Sequence, residues 1–303
     1  MVVLFEHDEL DEAPQHHDYA PQASTGQCHG TFGELMQGVL PDDRHILVTL
    51  PINLKSVIEF SAARTDRVGA DVSRKTKACR AVEDYLRLAD LPPGGLLNFR
   101  STFPVGKGLA SSSADMVAAI RAAARHYGQT PAPETIESVL RFIEPTDGVM
   151  YDGVVSFYHR EVKLDEQLGA TPGLAIVSAD RGGECDTVEF NRRKHEMPSA
   201  VRHEYRDMLA GMKEAIRASD LRTIGAIATR SCDLSQAFNP HPHIGLMREL
   251  RAGTDALGLV ATHSGTCIGL LYDAGDPERH AKTAHVQASL RALQIESSQY
   301  TTV

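Results

Sequence analysis

From Gly26 to Phe60, short apolar and polar runs alternate under Gly and Pro punctuation, and HILVTLPINL and SVIEF within that span predict strands. The period then changes. Across DVSRKTKACRAVEDYLRLAD, residues 71–90, Val72, Ala78, Val82, Tyr85 and Leu86 recur at helical spacing and predict an amphipathic helix. GGLLNFRST predicts a strand ending at Pro104. A second helix follows, with Met116, Val117, Ile120, Ala124 and Tyr127 on one face and Gly128 as its C-terminal stop. In the second half, GLAIVSAD, residues 173–180, has the unbroken apolar character of a buried strand. Helices are predicted over 199–218, 220–237 and 243–257. GLVATHSGTCIGLLYD then predicts two strands around a Ser-Gly-Thr turn, and a closing helix is predicted near 280–293. Strands and helices mix without strict alternation and without an internal repeat. The expectation is an α+β fold in two domains with the seam near residue 170.

A chain of 303 residues with 42% hydrophobic and 23% charged content can bury two medium-sized cores. The net charge of -9 is uneven, because residues 1–18 hold six acids and no Lys or Arg, which leaves the body nearly balanced. Residues 1–24 therefore read as a solvated acidic tail, and metal binding by His16 and His17 is the sharper alternative. No basic stripe points to nucleic acid. No apolar run approaches the ~18 residues of a membrane span, and the N-terminus lacks the pattern of a secretory signal. Five widely spaced cysteines, none in C-x-x-C, argue against a disulfide framework and a structural zinc site, and favour a reducing cytoplasm.

PVGKGLASSSADM, residues 104–116, carries the chemistry. A strand runs into a Gly-rich loop, and small hydroxyl residues open a helix. Gly106 and Gly108 permit positive φ and clear the approach path, and the first helical turn presents unpaired N–H groups and the positive end of its dipole, so phosphate is the expected guest. Among Ser111, Ser112 and Ser113, one hydroxyl can cap the helix and another can face a magnesium ion. The bland alternative is that these serines are only caps, and that Lys107 is a solvated loop lysine. The stretch is neither a Walker A loop nor a G-x-G-x-x-G or G-x-S-x-G motif.

Pro-x-x-x-Gly-Leu-x-Ser-Ser, here Pro104 to Ser112, resembles the central signature of the GHMP kinases. Gly30-Thr-Phe-Gly-Glu-Leu-Met-Gln-Gly38 is similar to their first motif, and His263-Ser-Gly-Thr-Cys-Ile-Gly269 to their third, a C-terminal glycine loop. Within the family, GTFGELMQG, GKGLASSSAD, IEPTDG and THSGTCIGLL most resemble the L-threonine kinases that make O-phospho-L-threonine for the aminopropanol linker of cobalamin. The resemblance implies a two-domain fold: an N-terminal ATP-binding domain over 25–170, like domain 2 of ribosomal protein S5, and a ferredoxin-like C-terminal domain over 171–303. It implies ATP and Mg²⁺ as cofactors. ATP would be bound by Pro104, Val105, Gly106, Lys107, Gly108, Leu109, Ala110, Ser111, Ser112 and Ser113, and the metal by Ser112 and Glu144. Asp147 would be the catalytic aspartate, working with Ser112 and orienting the acceptor hydroxyl or taking its proton. Glu34, Asp147, Ser264 and Gly265 would line the acceptor site.

From the residues alone, Asp147 in Pro-Thr-Asp-Gly is equally a turn residue, and Ser264-Gly265 an ordinary hairpin. An amino-acid acceptor also needs a carboxylate partner, for which Arg181 is one choice. His241-Pro-His243 reads as a solvated loop. The expected partner is a small amino acid, with no nucleic acid or membrane, and a homodimer is left open. Rival readings are a homoserine kinase or another member of the family, a nucleotide-binding regulator without turnover, and a hydrolase pairing Cys267 with His263.

Overall fold

The computed structural model describes residues 23–101, 103–185 and 197–303. Two long strands, β1 (Ser24–Val39) and β2 (His45–Ala62), pair antiparallel and form the spine of the first half. β3 (Val68–Ala70) and β4 (Gly95–Phe99) extend the sheet beyond β2, and α1 (Thr76–Leu88) connects them. α2 (Ser111–His126) lies across β1 and β2. Next come α3 (Pro133–Leu140) and the hairpin β5 (Val154–Tyr158) and β6 (Lys163–Gly169), which pairs with β2. The second half holds β7 (Leu174–Asp180), α4 (Ser199–Arg217), α5 (Leu221–Ser235), α6 (Ile244–Thr254), β8 (Gly258–Ala261), β9 (Cys267–Asp273), α7 (Arg279–Ala292) and β10 (Glu296–Thr301). Its strands run in the order β10-β7-β9-β8. They meet the first half where β8 touches β1, at the pair Glu34 and Ala261, and at an isolated bridge between Thr302, just after β10, and Ile52 of β2.

α2 can sit close to the sheet because its inner face is small. Ala114, Ala118, Ala119, Ala122 and Ala123 are wholly buried, and a Cβ on Gly26 of β1 would come within 2.1 Å of the Ala118 carbonyl oxygen. Alanine and glycine thus set the helix-to-sheet distance that brings the start of α2 to the seam.

The elements differ from expectation in a few places. β2 is one strand through Pro51 rather than two. α1 begins at Thr76 instead of 71, because the Asp71 carboxylate accepts the Phe99 N–H and turns the preceding residues into a loop, leaving Val72 exposed. The predicted strand before Pro104 ends at Phe99. α3, β5 and β6 occupy a stretch that had no assignment, and the chain closes with an edge strand after α7 rather than with the helix. That strand, ESSQYT, has little apolar alternation and is held by backbone pairing with β7. Ser24 already lies in β1, whereas residues 1–22, with His16 and His17, lie outside the described residues.

Gly26→Ala should lift α2 from β1 and cost about 1–3 kcal/mol in urea unfolding. Gly245→Ala, in α6 where a Cβ would meet nothing within 4 Å, should be neutral or stabilise by roughly 0.5–1 kcal/mol.

Candidate active site

The loop between β4 and α2 is anchored through its carbonyl oxygens. Those of Gly106, Lys107, Gly108 and Leu109 accept the N–H groups of Cys185, Thr266, Gly33 and Thr31, respectively. None is left to repel an anion in the cleft. Gly106, Gly108 and Ala110 all have positive φ, and Ala110 in that conformation is the N-cap of α2 without any side-chain cap. Left-handed backbone costs a non-glycine residue about 1–2 kcal/mol, a strain typical of ligand-binding loops. With no cap, the first N–H groups of α2 are unclaimed by the helix and available to an anion.

A cleft of 630 Å³ opens over this helix end. Val105, Gly106, Gly108, Leu109, Ala110, Ser111, Ser112 and Ser113 line it, together with Glu34, Glu144, Asp147 and Ser264. The serines are not caps. Ser112 donates to the Glu144 carboxylate, and buried Ser113 donates to Asp147 at 3.3 Å.

Three expected residues do not border the cleft. Pro104 lies outside it. Lys107 turns its ammonium away into an ion pair with Asp180 at 2.6 Å and a bond to the Gly183 carbonyl at 2.9 Å, so only its backbone serves the loop. Gly265 is pressed against the Lys107 carbonyl, where a Cβ would come within 2.1 Å, and it packs the two loops together. Arg181 is likewise spent on the carbonyls of Pro240 and Gly265.

Several cleft residues escaped the sequence reading. Lys75 pairs with the buried Asp115 of α2 at 2.5 Å, and Ser56 donates to the same carboxylate at 2.6 Å. Lys77 pairs with Glu144. A signal existed: α1 opens on Lys-Thr-Lys with no acid in its first turn, against the helix dipole, and such a broken local rule marks a place where function outranks stability. Asp115 was the one acid among the buried alanines. Nothing local flagged His159 or the link between His263 and Glu34, which joins residues 229 positions apart at 2.9 Å.

The acids set the electrostatics. Removal of water around the Asp147 carboxyl, reinforced by the negative charge of Glu34, pushes it up to about 7, against the pull of the Ser113 hydroxyl. Asp147 borders the open cleft, so part of its surface stays accessible, yet the protein around it withdraws most hydration. His159, also in the cleft, is driven down to about 3, first by burial and then by His45, Arg160 and His263, and is neutral. Cys267 is buried with its thiol pushed up to about 12 by burial. The Nδ1 of His263 faces Glu34 and its Nε2 faces Ser231, so His263 does not serve Cys267 as a base. His241 is also not solvated: it is buried and its Nε2 bonds the Thr266 carbonyl at 2.9 Å, which makes it a support for the glycine loop. No group of three or more His, Cys, Asp or Glu that could hold a metal occurs among the described residues.

Residues 75–159 match the model of the GHMP kinases N terminal domain, and residues 212–288 that of the GHMP kinases C terminal domain. The chain belongs to the GHMP kinases. As a member of that family it is an ATP-dependent phosphotransferase with the two-domain α+β fold of GHMP kinases. An L-threonine kinase of Citrobacter freundii is 26% identical over 257 residues, 82% of this chain and 86% of the relative. One of Salmonella typhimurium is 26% identical over 265 residues, 85% of this chain and 86% of the relative. Among solved structures, a homoserine kinase from Cytophaga hutchinsonii superposes with a TM-score of 0.73 at 15% identity, covering 99% of this chain and 97% of that one. A mevalonate kinase does so at 0.71 and 14%, covering 92% and 98%.

The elevated Asp147 value makes two effects measurable. Its folded value lies above the ordinary 3.8, so the proton it holds supports the fold fully below that ordinary value, and this support is lost as pH rises through about 7. Asp147→Asn, a neutral isostere, should therefore raise Tm at pH 8 by a few degrees, roughly 2–4 °C per kcal/mol, and leave it unchanged at pH 3. In the wild type, kcat/KM should fall as pH drops through about 7.

Proposed function

We propose that this kinase transfers the γ-phosphoryl group of ATP to the hydroxyl of L-threonine, giving ADP and O-phospho-L-threonine. The observation that carries the reading is the convergence of the uncapped start of α2, the Ser112 hydroxyl bonded to Glu144, and the Asp147 carboxyl in one cleft. The acceptor is argued from the two relatives named L-threonine kinase, which match most of the chain. The cobalamin-linker role implied by the motif resemblance depends on that acceptor. A reducing cytoplasm suits five cysteines with no disulfide among them.

The reaction divides among the residues as follows. Backbone N–H groups of residues 106–113 cradle the phosphates. The acceptor oxygen bonds to the γ-phosphorus as the bond from that phosphorus to the ADP oxygen breaks. Asp147 in its ionised form aligns the hydroxyl and accepts its proton as the new bond develops. Ser112 and Glu144 fit Mg²⁺, being hard oxygen donors already in contact, and the pairing of Lys77 with the second Glu144 oxygen supports this carboxylate as a partner for a cation. Two protein donors suffice because phosphate oxygens and water complete the shell of such an ion. When bound, it neutralises charge on the phosphates.

ADP release with ATP and Mg²⁺ should give the highest kcat/KM for L-threonine in a panel with L-serine, L-homoserine, mevalonate and galactose. Preference for L-homoserine would correct the acceptor, and turnover of none would reject the proposal. Ser112→Ala and Glu144→Gln should each lower kcat by about 10²–10³-fold, whereas Cys267→Ala should stay close to wild type.

A further inference from the structure

Charge is unevenly distributed along the cleft. Among the described residues its cations, Arg74, Lys75 and Lys77, stand at the entrance to α1, and Lys75 and Lys77 are each paired with an acid. Among the described residues, none of the cleft's lysines or arginines stands by Glu34 and Asp147. Gln37 and His159 are the polar neighbours there, joined to each other at 3.4 Å. An acceptor bearing only negative charge would meet unrelieved repulsion at that end, while a cation would be drawn to it.

Glu34 is built for such a cation. The residue is 6% exposed, and its Oε2 is engaged by His263 Nδ1 at 2.9 Å. Its Oε1 has no hydrogen bond among the described residues, yet it is not one of the sealed-off orphan atoms, so it meets the cleft that Glu34 lines. Water in the cleft can complete that oxygen, and a cationic ligand that replaces it would gain a charge-assisted hydrogen bond from a mostly buried carboxylate. Its position is fixed from two directions. Irregular register on both sides of Glu34 turns its side chain out of the regular β1 alternation. His263 approaches from the other half of the molecule, its carbonyl held by Asn239 at 3.0 Å and its Nε2 facing Ser231 at 3.5 Å. The next residue, Ser264, lines the same cleft.

We propose that the open oxygen of Glu34, with Asp147 beside it, binds the ammonium group of the acceptor, and that His263 is the positioning residue that aims it. The kinase then takes aminated alcohols and refuses their deaminated counterparts. This rests on the reading of the cleft as an amino-acid kinase site and adds the group that makes the choice. An ammonium there would also offset the Glu34 charge, which adds to the removal of water in pushing the Asp147 carboxyl up, so that a correct acceptor helps ready the aspartate that aligns its hydroxyl.

The test compares L-threonine with (R)-1-amino-2-propanol, which keeps the ammonium and loses the carboxylate, and (R)-3-hydroxybutyrate, which does the reverse. The full-length wild-type enzyme should prefer L-threonine over (R)-3-hydroxybutyrate by at least about 100-fold in kcat/KM, and should retain measurable turnover of (R)-1-amino-2-propanol. Glu34→Gln should collapse the first ratio below about 10 while ATP affinity is kept. His263→Ala should raise KM for L-threonine more than it lowers kcat and reduce the ratio, and His263→Asn, which can still donate to Glu34, should restore it. The histidine pair decides the matter if Glu34→Gln does not fold. Comparable use of (R)-3-hydroxybutyrate by the wild type, or an undiminished ratio in Glu34→Gln and His263→Ala, overturns this assignment while leaving the kinase reading intact. Failure to phosphorylate any of the aminated alcohols overturns both.

Discussion

Four successive carbonyl oxygens, from Gly106 to Leu109, are bonded by N–H groups from β1 and from two C-terminal loops, and the rest of the site depends on that. A glycine-rich loop left to itself would sample many shapes, with carbonyls as often as amides facing an incoming phosphate. Here β1 supplies two of the four donors, through Thr31 and Gly33, and Cys185 and Thr266 supply the others. The loop therefore belongs to both halves of the molecule, and its acceptor groups are consumed before any ligand arrives. Ala110 is held in a left-handed conformation, which no isolated peptide of this sequence would favour.

The same seam governs the acids. Glu34 is the β1 residue that pairs with Ala261 where the two groups of strands meet, and His263 follows two residues later on the opposite side. The backbone pair and the side-chain contact at 2.9 Å thus join the bond from the Thr266 N–H to the Lys107 carbonyl in placing the C-terminal glycine loop against β1 and the phosphate-side loop. Asp147 titrates high because its carboxyl lies in a poorly hydrated place, and the Glu34 charge brought near it adds to the effect. Lys75 and Lys77, placed against the dipole of α1, balance Asp115 and Glu144 instead. Among the described residues the cleft is polarised, with ion-paired positive charge near the glycine loop and negative charge concentrated at Glu34 and Asp147.

Much of the architecture was legible in the chain. The period change at α1, the apolar positions of α2 and the apolar run of β7 are local properties, and local propensity agreed with the final structure. The exceptions are instructive. β10 was missed because an edge strand with polar side chains has little apolar signal and owes its existence to the backbone of β7. Lys107 sat in the right motif, but its side chain was taken by Asp180, 73 positions away, and neither residue reports that pairing locally.

What the sequence by itself determined is the chemistry available: two glycines and three serines before a helix, an acid at 144 and another at 147, and a Ser-Gly turn near the end. Spacing within a few residues is enough to suggest a glycine loop running into a helix start, because helix ends and turns are short-range objects. Only the tertiary structure decided which of those groups face the cleft, that Ser113 serves Asp147 rather than capping α2, and that His263 belongs to Glu34 rather than to Cys267. The reason is physical. Desolvation, ion pairing and titration depend on distances between side chains far apart in the chain, and folding alone sets those distances.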